Sequence, residues 1–272
     1  MPITDFLILA DEVRAAAAPV ALETTVIAHG LPYPQNLETA HRLEAAVRAH
    51  GGTPAWCGLL DGRLRVGLAT AELERFAQDP AMAKVSRRDL APLLATGGSG
   101  ATTVAGTMIL AHAAGLAVFA TGGLGGVHRG VAESFDISAD MAELARTPIA
   151  VVCSGAKSIL DLPKTVELLE TLGVPVLGLG CDRFPAFQVT SSGLPVDRRC
   201  ETPAAVAAII RVQRQLGAGG LVVGVPVPAK DALQSREVEI WVAEALAAAR
   251  ADGVTGKAIT PYLLQKLAEL SG

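Results

Sequence analysis

The sequence predicts an α/β protein, with helices layered on both sides of a mostly parallel or mixed central sheet and room for a small β-hairpin appendage. Residues 149–179 have the pattern of a strand, a helix and a second strand, which is the unit that joins neighbouring parallel strands. The predicted strands are short apolar runs bounded by glycine and proline, as expected for strands buried on both faces.

The predicted elements alternate along the chain. Strands are predicted at residues 19–28, 53–60, 63–66, 116–121, 149–153, 174–179 and 221–225. Helices are predicted at residues 36–50 with Asn36 as N-cap, from Thr70 as a cap, and at 102–114, 137–146, 157–172, 202–215 and 234–251. Asp61-Gly62 predicts the hairpin turn between the second and third strands. Residues 180–200 predict either a loop over a site or an edge hairpin.

Length and composition exclude several classes of protein. The chain has 272 residues, half of them hydrophobic, and neither a repeat nor a linker, which predicts one domain over residues 1–272. A net charge of −4 gives no electrostatic basis for binding nucleic acid. No run reaches the roughly 18 apolar residues of a membrane span, and no basic segment marks a secretory signal. The four cysteines fit no zinc pattern, so we expect reduced thiols and a cytoplasmic protein.

Two glycine-rich segments follow apolar stretches, at residues 96–103 and 121–129. Glycine lets backbone N–H groups face an anion, and a helix N-terminus favours negative charge. Tight turns would explain the same composition equally well. Neither segment matches GxGxxG or GxxxxGK[ST], so a dinucleotide site or a P-loop has little support.

Glu23 stands among apolar and hydroxyl-bearing residues of the first predicted strand. Burial there would favour the protonated carboxyl, as a general acid requires. The alternative is a glutamate on an edge strand that faces water. The apolar neighbours favour burial, which makes Glu23 a candidate acid.

Asp136 and Asp140 are four residues apart, and on a helix they would share one face. One or two carboxylates with waters suit Mg²⁺ or Mn²⁺ better than zinc. The simpler alternative is a helix cap at Asp136 and a solvated Asp140. Residues 84–89 form a charged run that is either a solvated face or a site for one phosphate.

Lys157 follows a predicted buried strand and opens a predicted helix. Partial burial and the positive end of the helix both disfavour an ammonium ion. A neutral amine attacks a carbonyl or a masked aldehyde. The alternative is a lysine whose amine reaches water from the first helical turn. Because a cation at a helix start is unfavourable, Lys157 is a candidate nucleophile on a sugar carbonyl.

Several long motifs resemble, in order, those of the pseudouridine-5′-phosphate glycosidase family, the indigoidine synthase A-like proteins. The resemblance spans about residues 18–270. The motifs are ALETTVIAHGLPYPQN at residues 21–36, KVSRRDL at 84–90, GATTVA at 100–105, FATGGLGGVHRG at 119–130, FDISAD at 135–140 and SGAKSILDL at 154–162.

The resemblance implies reversible cleavage of the C–C glycosidic bond of pseudouridine 5′-phosphate to uracil and ribose 5-phosphate. It implies that Lys157 forms a Schiff base with ribose C1′, that Glu23 donates a proton, and that Asp136 holds Mn²⁺ or another divalent cation such as Mg²⁺. It also implies a homotrimer. The residues that it places around the phosphosugar are Lys84, Val104, Thr121, His128, Ser138, Ala139 and Asp140.

The sequence departs from the family pattern at two places. Val225 stands where the family has an asparagine near the base, so an amide that would bind uracil is absent. The family typically continues into another helix beyond residue 272. These departures leave open a glycosidase for another 5-phosphoribosyl compound, or a phosphosugar-binding protein with impaired catalysis. A Rossmann-type oxidoreductase would rest on the glycine segments alone.

Overall fold

The computed structural model describes residues 3–271, apart from the side chain of Lys257. Within this range the chain forms two compact units, each built from separate segments. Unit 1 contains the residues up to Thr121 together with Glu143–Val152 and Gln213–Leu221. Unit 2 contains Gly122–Ala142, Cys153–Val212 and the residues from Val222 onward.

Strands and helices alternate through most of the chain. The strands are β1 Leu7–Leu9, β2 Pro19–Glu23, β3 Thr53–Leu60, β4 Arg63–Val66, β5 Ala83–Val85, β6 Gly100–Thr102, β7 Val118–Ala120, β8 Ala150–Cys153, β9 Val176–Leu179, β10 Arg198–Cys200 and β11 Leu221–Gly224. The α-helices are α1 Asp11–Ala15, α2 Thr25–His29, α3 Gln35–Ala49, α4 Thr70–Gln78, α5 Arg87–Thr96, α6 Val104–Ala113, α7 Val131–Ser134, α8 Ala139–Arg146, α9 Leu162–Thr171, α10 Pro203–Gln215, α11 Ser235–Ala251 and α12 Ile259–Ser271.

The strands of unit 1 follow the order β1-β4-β3-β2-β7-β8. β2 is parallel to β3 and β7, and β7 is parallel to β8. β6 is antiparallel to β3 and parallel to β5. The prediction of an α/β protein with a mostly parallel sheet is confirmed. Because carboxyl ends of parallel strands share an edge, residues that follow β2 and β7 come together.

The predicted hairpin is also confirmed, since β3 and β4 are antiparallel and Leu60 faces Arg63 across the turn. Asp61 and Gly62 both have positive φ angles, 49° and 71°. This is the conformation that a tight two-residue hairpin turn requires. The core of unit 1 includes Trp56 of β3 and Phe76 of α4, each of which is 1% exposed. A Cβ on Gly58 would lie 2.5 Å from the Phe76 ring, so the ring occupies the space that glycine leaves.

In unit 2, β9 is parallel to both β11 and β10. Helix α11 buries Val238, Val242, Ala245 and Ala249, which recur every three or four residues and form one apolar face. Helix α12, which the sequence analysis did not predict, packs on α11 and buries Leu263 and Leu267. Among residues 3–271, every helix is too short or too polar to span a membrane.

The strand predicted at residues 19–28 is wrong in its second half, because β2 ends at Glu23 and α2 begins at Thr25. The buried Thr24 hydroxyl donates to the Cys57 carbonyl at 2.7 Å, and Thr25 donates to the Thr102 carbonyl at 2.7 Å. These hydroxyls bond to neighbouring strands while the backbone turns away from the sheet. Glu23 therefore lies at the carboxyl end of its strand.

The helix predicted at residues 157–172 is wrong at its start, because α9 begins only at Leu162. Asp161 is the N-cap, and its side chain accepts from the Lys164 backbone N–H at 3.1 Å. Pro163 lies in the first turn, where a missing N–H costs nothing. Lys157 is thus in the connection between β8 and α9, and the helix-dipole contribution expected for it is removed.

Two predicted helix caps are also wrong. Asn36 lies inside α3, and its amide donates to the carbonyls of Ile27 and Ala77, both at 2.9 Å. It therefore ties three segments of unit 1 together. Thr70 is the first residue of α4, and the Glu72 carboxylate accepts from the Ala69 backbone N–H at 2.8 Å.

Candidate functional site

Glu23 and Thr121 meet at one edge of the unit 1 sheet. Glu23 ends β2, and Thr121 directly follows β7, the parallel neighbour of β2. The Thr121 hydroxyl donates to Glu23 Oε1 in a short hydrogen bond. Both residues are half-buried. The geometry holds the Glu23 carboxyl in one orientation at the end of a rigid strand, where a general acid is best placed.

Lys84 and Val104 lie on adjacent structure in unit 1. Lys84 is in β5, opposite Ala101 of β6, and Val104 begins α6 after a Thr103 N-cap. Val104 is only 2% exposed, so its side chain belongs to the core. Any contact of Val104 with a ligand would therefore involve the backbone at the start of α6, where a helix favours an anion.

The charged run at residues 84–89 includes a structural ion pair. Arg87 donates two hydrogen bonds to the Glu143 carboxylate, at 2.6 and 2.7 Å. The Glu143 side chain is 1% exposed, so it requires this partner. The Arg87 guanidinium is therefore paired with a buried carboxylate and does not serve as the phosphate ligand that the charged run could have supplied. The neighbouring Arg88 is largely exposed.

His29 is a polar residue that sequence reasoning did not single out, although it lies in the first family motif. Burial lowers its pKa below the ordinary value of 6.5, and the nearby Lys84 charge also lowers it. A hydrogen bond with the Ala83 backbone acts in the opposite direction. His29 Nε2 and Ser86 Oγ are buried atoms without a hydrogen-bond partner within the described part of the chain. An uncharged His29 ring thus offers an acceptor in a polar part of unit 1.

Both the side-chain amine and the backbone N–H of Lys157, in unit 2, donate to the backbone of one segment. Its Nζ donates to the Gly123 carbonyl at 2.5 Å, and its backbone N–H donates to the Leu124 carbonyl at 3.0 Å. The residue is half-buried. The amine is therefore neither a core group nor a freely moving surface lysine. Its neighbour Ser158 donates to Gln188 Oε1 at 2.8 Å.

Ser138, Ala139 and Asp140 surround the second glycine segment. Asp140 is 5% exposed, and its carboxylate accepts from the Gly125 N–H at 2.9 Å. The Ser138 N–H donates to the Gly126 carbonyl at 2.9 Å. Ala139 is exposed at the first turn of α8. This segment brings a buried carboxylate, a hydroxyl and backbone groups together.

Asp136 and Asp140 do not share a helix face, because α8 begins only at Ala139 and the helical condition for their pairing is not met. Asp136 precedes α8, and the residue after it forms a bridge with Val127. The Asp136 carbonyl accepts from the His128 N–H at 3.0 Å, and its Oδ2 lies 3.9 Å from His128 Nδ1. Asp136 keeps a third of its side chain exposed, whereas His128 keeps 10%.

Asp136 offers one carboxylate to a hard cation, whose remaining ligands would be waters and oxygens of the substrate. Within residues 3–271, no group of three or more His, Cys, Asp or Glu side chains is arranged to hold a metal ion. Mg²⁺ and similar ions are commonly held by one or two carboxylates, with waters and substrate phosphate completing the shell. The exposed part of Asp136 supplies one such carboxylate.

Two further features of unit 2 lie at or beside the connection between β8 and α9. The segment at residues 184–189 bridges to the Lys157 connection through Gly155 and Ala186. The Phe187 N–H donates to the Ser154 carbonyl at 2.7 Å. Val225 is half-buried after β11, and its N–H donates to the Cys153 carbonyl at 2.8 Å.

Comparisons with known proteins agree along nearly the whole chain. A profile of the family described as indigoidine synthase A like protein matches residues 9–272. The chain is 53% identical to the pseudouridine-5′-phosphate glycosidase of Methylobacterium nodulans, an alignment that covers 100% of this chain and 81% of that protein. It is 54% identical to the protein of the same name from Cupriavidus pinatubonensis, with 95% and 83% covered.

Two solved structures have the same fold. The prealnumycin C-glycosynthase AlnA, crystallised in complex with ribulose 5-phosphate, matches with a TM-score of 0.90 and 41% identity, covering 98% of this chain and 88% of that one. An indigoidine synthase A-like protein from Thermotoga maritima matches with a TM-score of 0.89 and 33% identity, covering 98% and 87%.

Proposed function

This chain belongs to the family of indigoidine synthase A like proteins, and on that premise we propose that it reversibly cleaves the C–C glycosidic bond of pseudouridine 5′-phosphate. The products are uracil and ribose 5-phosphate. The relatives named for this reaction support the proposal, since they are about half identical over almost the whole chain. The observation that carries it is the half-buried Lys157 amine, held at 2.5 Å from the Gly123 carbonyl.

Lys157 solves the difficulty of a bond that has no leaving heteroatom. Its nitrogen bonds to C1′ as the ring oxygen leaves, which opens the ribose. The nitrogen lone pair then forms an iminium with C1′ while the C1′–base bond breaks and its electron pair returns to the base. Water hydrolyses the iminium, which releases ribose 5-phosphate and restores the amine.

Glu23 acts as the proton donor to the base carbon in this proposal. Its position at the end of β2 and its bond from Thr121 fix the carboxyl. A positioned acid typically contributes a factor of about 10²–10⁴ to the rate. Lys84 and the start of α6 at Val104 bind the phosphosugar, and so do Thr121, His128, Ser138, Ala139 and Asp140. Contacts with the phosphate, which lies away from the reacting carbon, supply binding energy that helps to hold C1′ in position for the reaction.

Asp136 holds the divalent cation, Mn²⁺ or Mg²⁺, in this proposal. The ion would supply positive charge that neutralises anionic oxygens of the substrate. The chain's own part is the Asp136 carboxylate, a third of whose side chain is exposed, while the His128 N–H holds the Asp136 backbone by donating to its carbonyl. We further propose a homotrimer and a cytoplasmic location. The four cysteines, all described as free thiols, are consistent with a reducing compartment.

Borohydride trapping tests the proposal directly. With ribose 5-phosphate bound, reduction should fix the sugar on the peptide that contains Lys157, as read by mass spectrometry. Lys157→Ala should remove the adduct and uracil release together. Lys164→Ala is the matched control, because this lysine is exposed in α9 and pairs with Asp161. An unmodified Lys157 under saturating sugar phosphate would refute the proposal.

Val225 favours a second candidate, a phosphosugar-binding protein with impaired cleavage or with another base. Where the resemblance places an amide near the base, Val225 presents an apolar side chain, and its N–H is bonded to Cys153. Val225→Asn should raise kcat/KM for pseudouridine 5′-phosphate by roughly fivefold, since one regained hydrogen bond is worth about 1 kcal/mol. Tight binding of ribose 5-phosphate without uracil release, in both the parent protein and the Val225→Asn variant, would support the second candidate.

A further inference from the structure

We infer that Phe187 is a positioning residue for the Lys157 amine, acting through the Gly122-Gly123 backbone. This inference rests on the proposed function, because it concerns the same lysine. All four residues lie in unit 2. Phe187 lies outside the motifs that carry the resemblance, and it enters only because the chain folds back over the connection between β8 and α9.

The Phe187 ring packs on two glycines and fills the space where their side chains would be. A Cβ on Gly122 would lie 2.9 Å from Phe187 Cε2, and a Cβ on Gly123 would lie 2.8 Å from Phe187 Cδ2. For Gly123, the three nearest atoms all belong to this ring. The ring therefore packs on the Cα of Gly123, the residue whose carbonyl accepts from Lys157 Nζ.

The backbone of Phe187 is held in an unfavourable conformation. Its φ angle is 59°, in the left-handed region that non-glycine residues rarely adopt. Such conformations cost of order 1–3 kcal/mol and persist only where surrounding contacts impose them. Here the contacts are the hydrogen bond from the Phe187 N–H to the Ser154 carbonyl and the bridges that Ala186 makes on either side.

The same segment is anchored firmly enough to hold the ring in place. Phe184 is 0% exposed and Ala186 is 4% exposed. Pro185 passes so close to Gly155 that its carbonyl occupies the space of a Cβ there. On the other side of the glycines, the Ser154 N–H donates to the Gly122 carbonyl at 2.8 Å and the Leu124 N–H donates to the Gly155 carbonyl at 2.9 Å. Gly122 and Gly123 are thus contacted by the aromatic ring, and their carbonyls accept from Ser154 and Lys157 of the connection between β8 and α9.

This arrangement has a chemical consequence for the amine. A carbonyl that cannot shift fixes the direction from which Nζ approaches a sugar carbon. Misplacement of a reacting group by about 1 Å can reduce a rate by about 10²-fold. Loss of the ring should therefore slow formation of the bond between Nζ and C1′ without removing any group that touches the sugar phosphate.

The test compares Phe187→Ala, Gly123→Ala and the double variant, with borohydride trapping of ribose 5-phosphate as the rate measurement. We expect Phe187→Ala to slow trapping at least tenfold and to shift the pH profile of trapping. Gly123→Ala keeps its carbonyl but forces the ring away, so it should slow trapping as well. In the double variant the added methyl group meets no ring, so its rate should match that of Phe187→Ala alone.

The conservative variant and the control separate positioning from general damage to the fold. Phe187→Tyr retains the ring and should restore trapping to within about twofold of the parent, a range small beside the effects of misplacement. Phe135→Ala is the matched control, because Phe135 also has a positive φ, 53°, but is 83% exposed. Should Phe187→Ala fail to fold, Gly123→Ala and Gly123→Ala with Phe187→Leu provide the same comparison.

Failure of the inference is distinguishable from failure of the proposed function. If the parent protein does not trap the sugar at all, the proposed function fails. If the parent traps it and Phe187→Ala traps it equally fast, only the positioning role is refuted. A second measurement needs no sugar: acylation of Lys157 by a water-soluble amine reagent should change its rate and pH profile in Phe187→Ala. If the fold reductions in trapping rate caused by Phe187→Ala and Gly123→Ala multiply in the double variant, the two residues act independently and the inference is also refuted.

Discussion

Residues 96–103 of unit 1 and residues 122–129 of unit 2 are both rich in glycine, but their backbone groups have different partners. In the first segment, Gly97 ends α5 with a φ of 70°, and the Gly98 N–H donates to the Leu93 carbonyl at 2.8 Å. In the second, the Gly125 N–H donates to the Asp140 carboxylate and the Gly123 carbonyl accepts from Lys157. The first segment closes a helix, and the second gathers charged side chains.

This difference shows that glycine content alone does not identify a functional loop. A helix end and a short strand use glycine so that backbone can approach backbone. A site uses glycine so that backbone can approach a charged or aromatic side chain. Only the partners distinguish the two uses, and the partners of residues 122–129 come from parts of the chain that are distant in sequence.

The largest expected effect comes from a methyl group in the second segment. A Cβ on Gly125 would collide with Ser138 Oγ and lie 2.7 Å from Asp140 Oδ2. Gly125→Ala should therefore displace both side chains and lower kcat/KM for pseudouridine 5′-phosphate by about 10²-fold or more. Steady-state kinetics would check this, with circular dichroism as the control for folding. If Gly125→Ala kept the kcat/KM of the parent protein, the claim that only the second segment belongs to the site would be contradicted.

The next effect concerns the helix that leads into the first segment. Arg87→Ala should leave the buried Glu143 carboxylate unpaired and lower the free energy of unfolding by about 3 kcal/mol. Chemical denaturation measures this directly. Arg88→Ala is the control, because the Arg88 side chain is 76% exposed and should cost little. Equal stabilities for the two variants would show that the ion pair contributes no more than a surface charge.

A smaller effect is expected from Gly97→Ala, the counterpart of Gly125→Ala in the first segment. A Cβ on Gly97 would meet no atom within 4 Å, so only its φ of 70° resists the substitution. We expect a loss of about 1 kcal/mol in the free energy of unfolding and unchanged kinetics. A large drop in kcat/KM with little change in stability would assign a site role to the first segment as well.

The smallest expected effect is a pH dependence of stability from His29 in unit 1. Because burial lowers its pKa in the folded state, the unfolded chain takes up a proton first as the pH falls below 6.5. The stability that the uncharged ring provides is present above pH 6.5 and declines below it. In thermal unfolding scans, His29→Gln should flatten this decline relative to the parent protein. Parallel curves for the two proteins would contradict the prediction.

The parts of the fold that follow local chemistry were predictable. The Asp61-Gly62 hairpin is an example, because the turn residues alone determine it. The start of α9 was predictable in principle, since Asp161 and Pro163 form a standard N-terminal signal. The apolar Ile159 and Leu160 obscured that signal, because they continue the helical pattern backward to Lys157 although both are buried outside the helix.

The parts of the site that depend on distant contacts were not predictable from the sequence alone. Glu23 and Lys157 were found through their residue types and through the family motifs. Phe187 has no comparable signal, because its importance lies in two glycines more than sixty positions away. The metal interpretation of Asp136 and Asp140 also changed, since four-residue spacing implies a shared face only within a helix.

Burial of the thiols has a consequence for selectivity toward electrophiles. Desolvation raises the pKa of both Cys57 and Cys153 to about 12, even though the charge of the nearby Lys157 acts to lower that of Cys153. At neutral pH both sulfurs therefore remain protonated and unreactive. An open-chain sugar aldehyde that reaches Lys157 meets no competing thiolate four positions earlier in the chain, so hemithioacetal formation does not divert it from the imine.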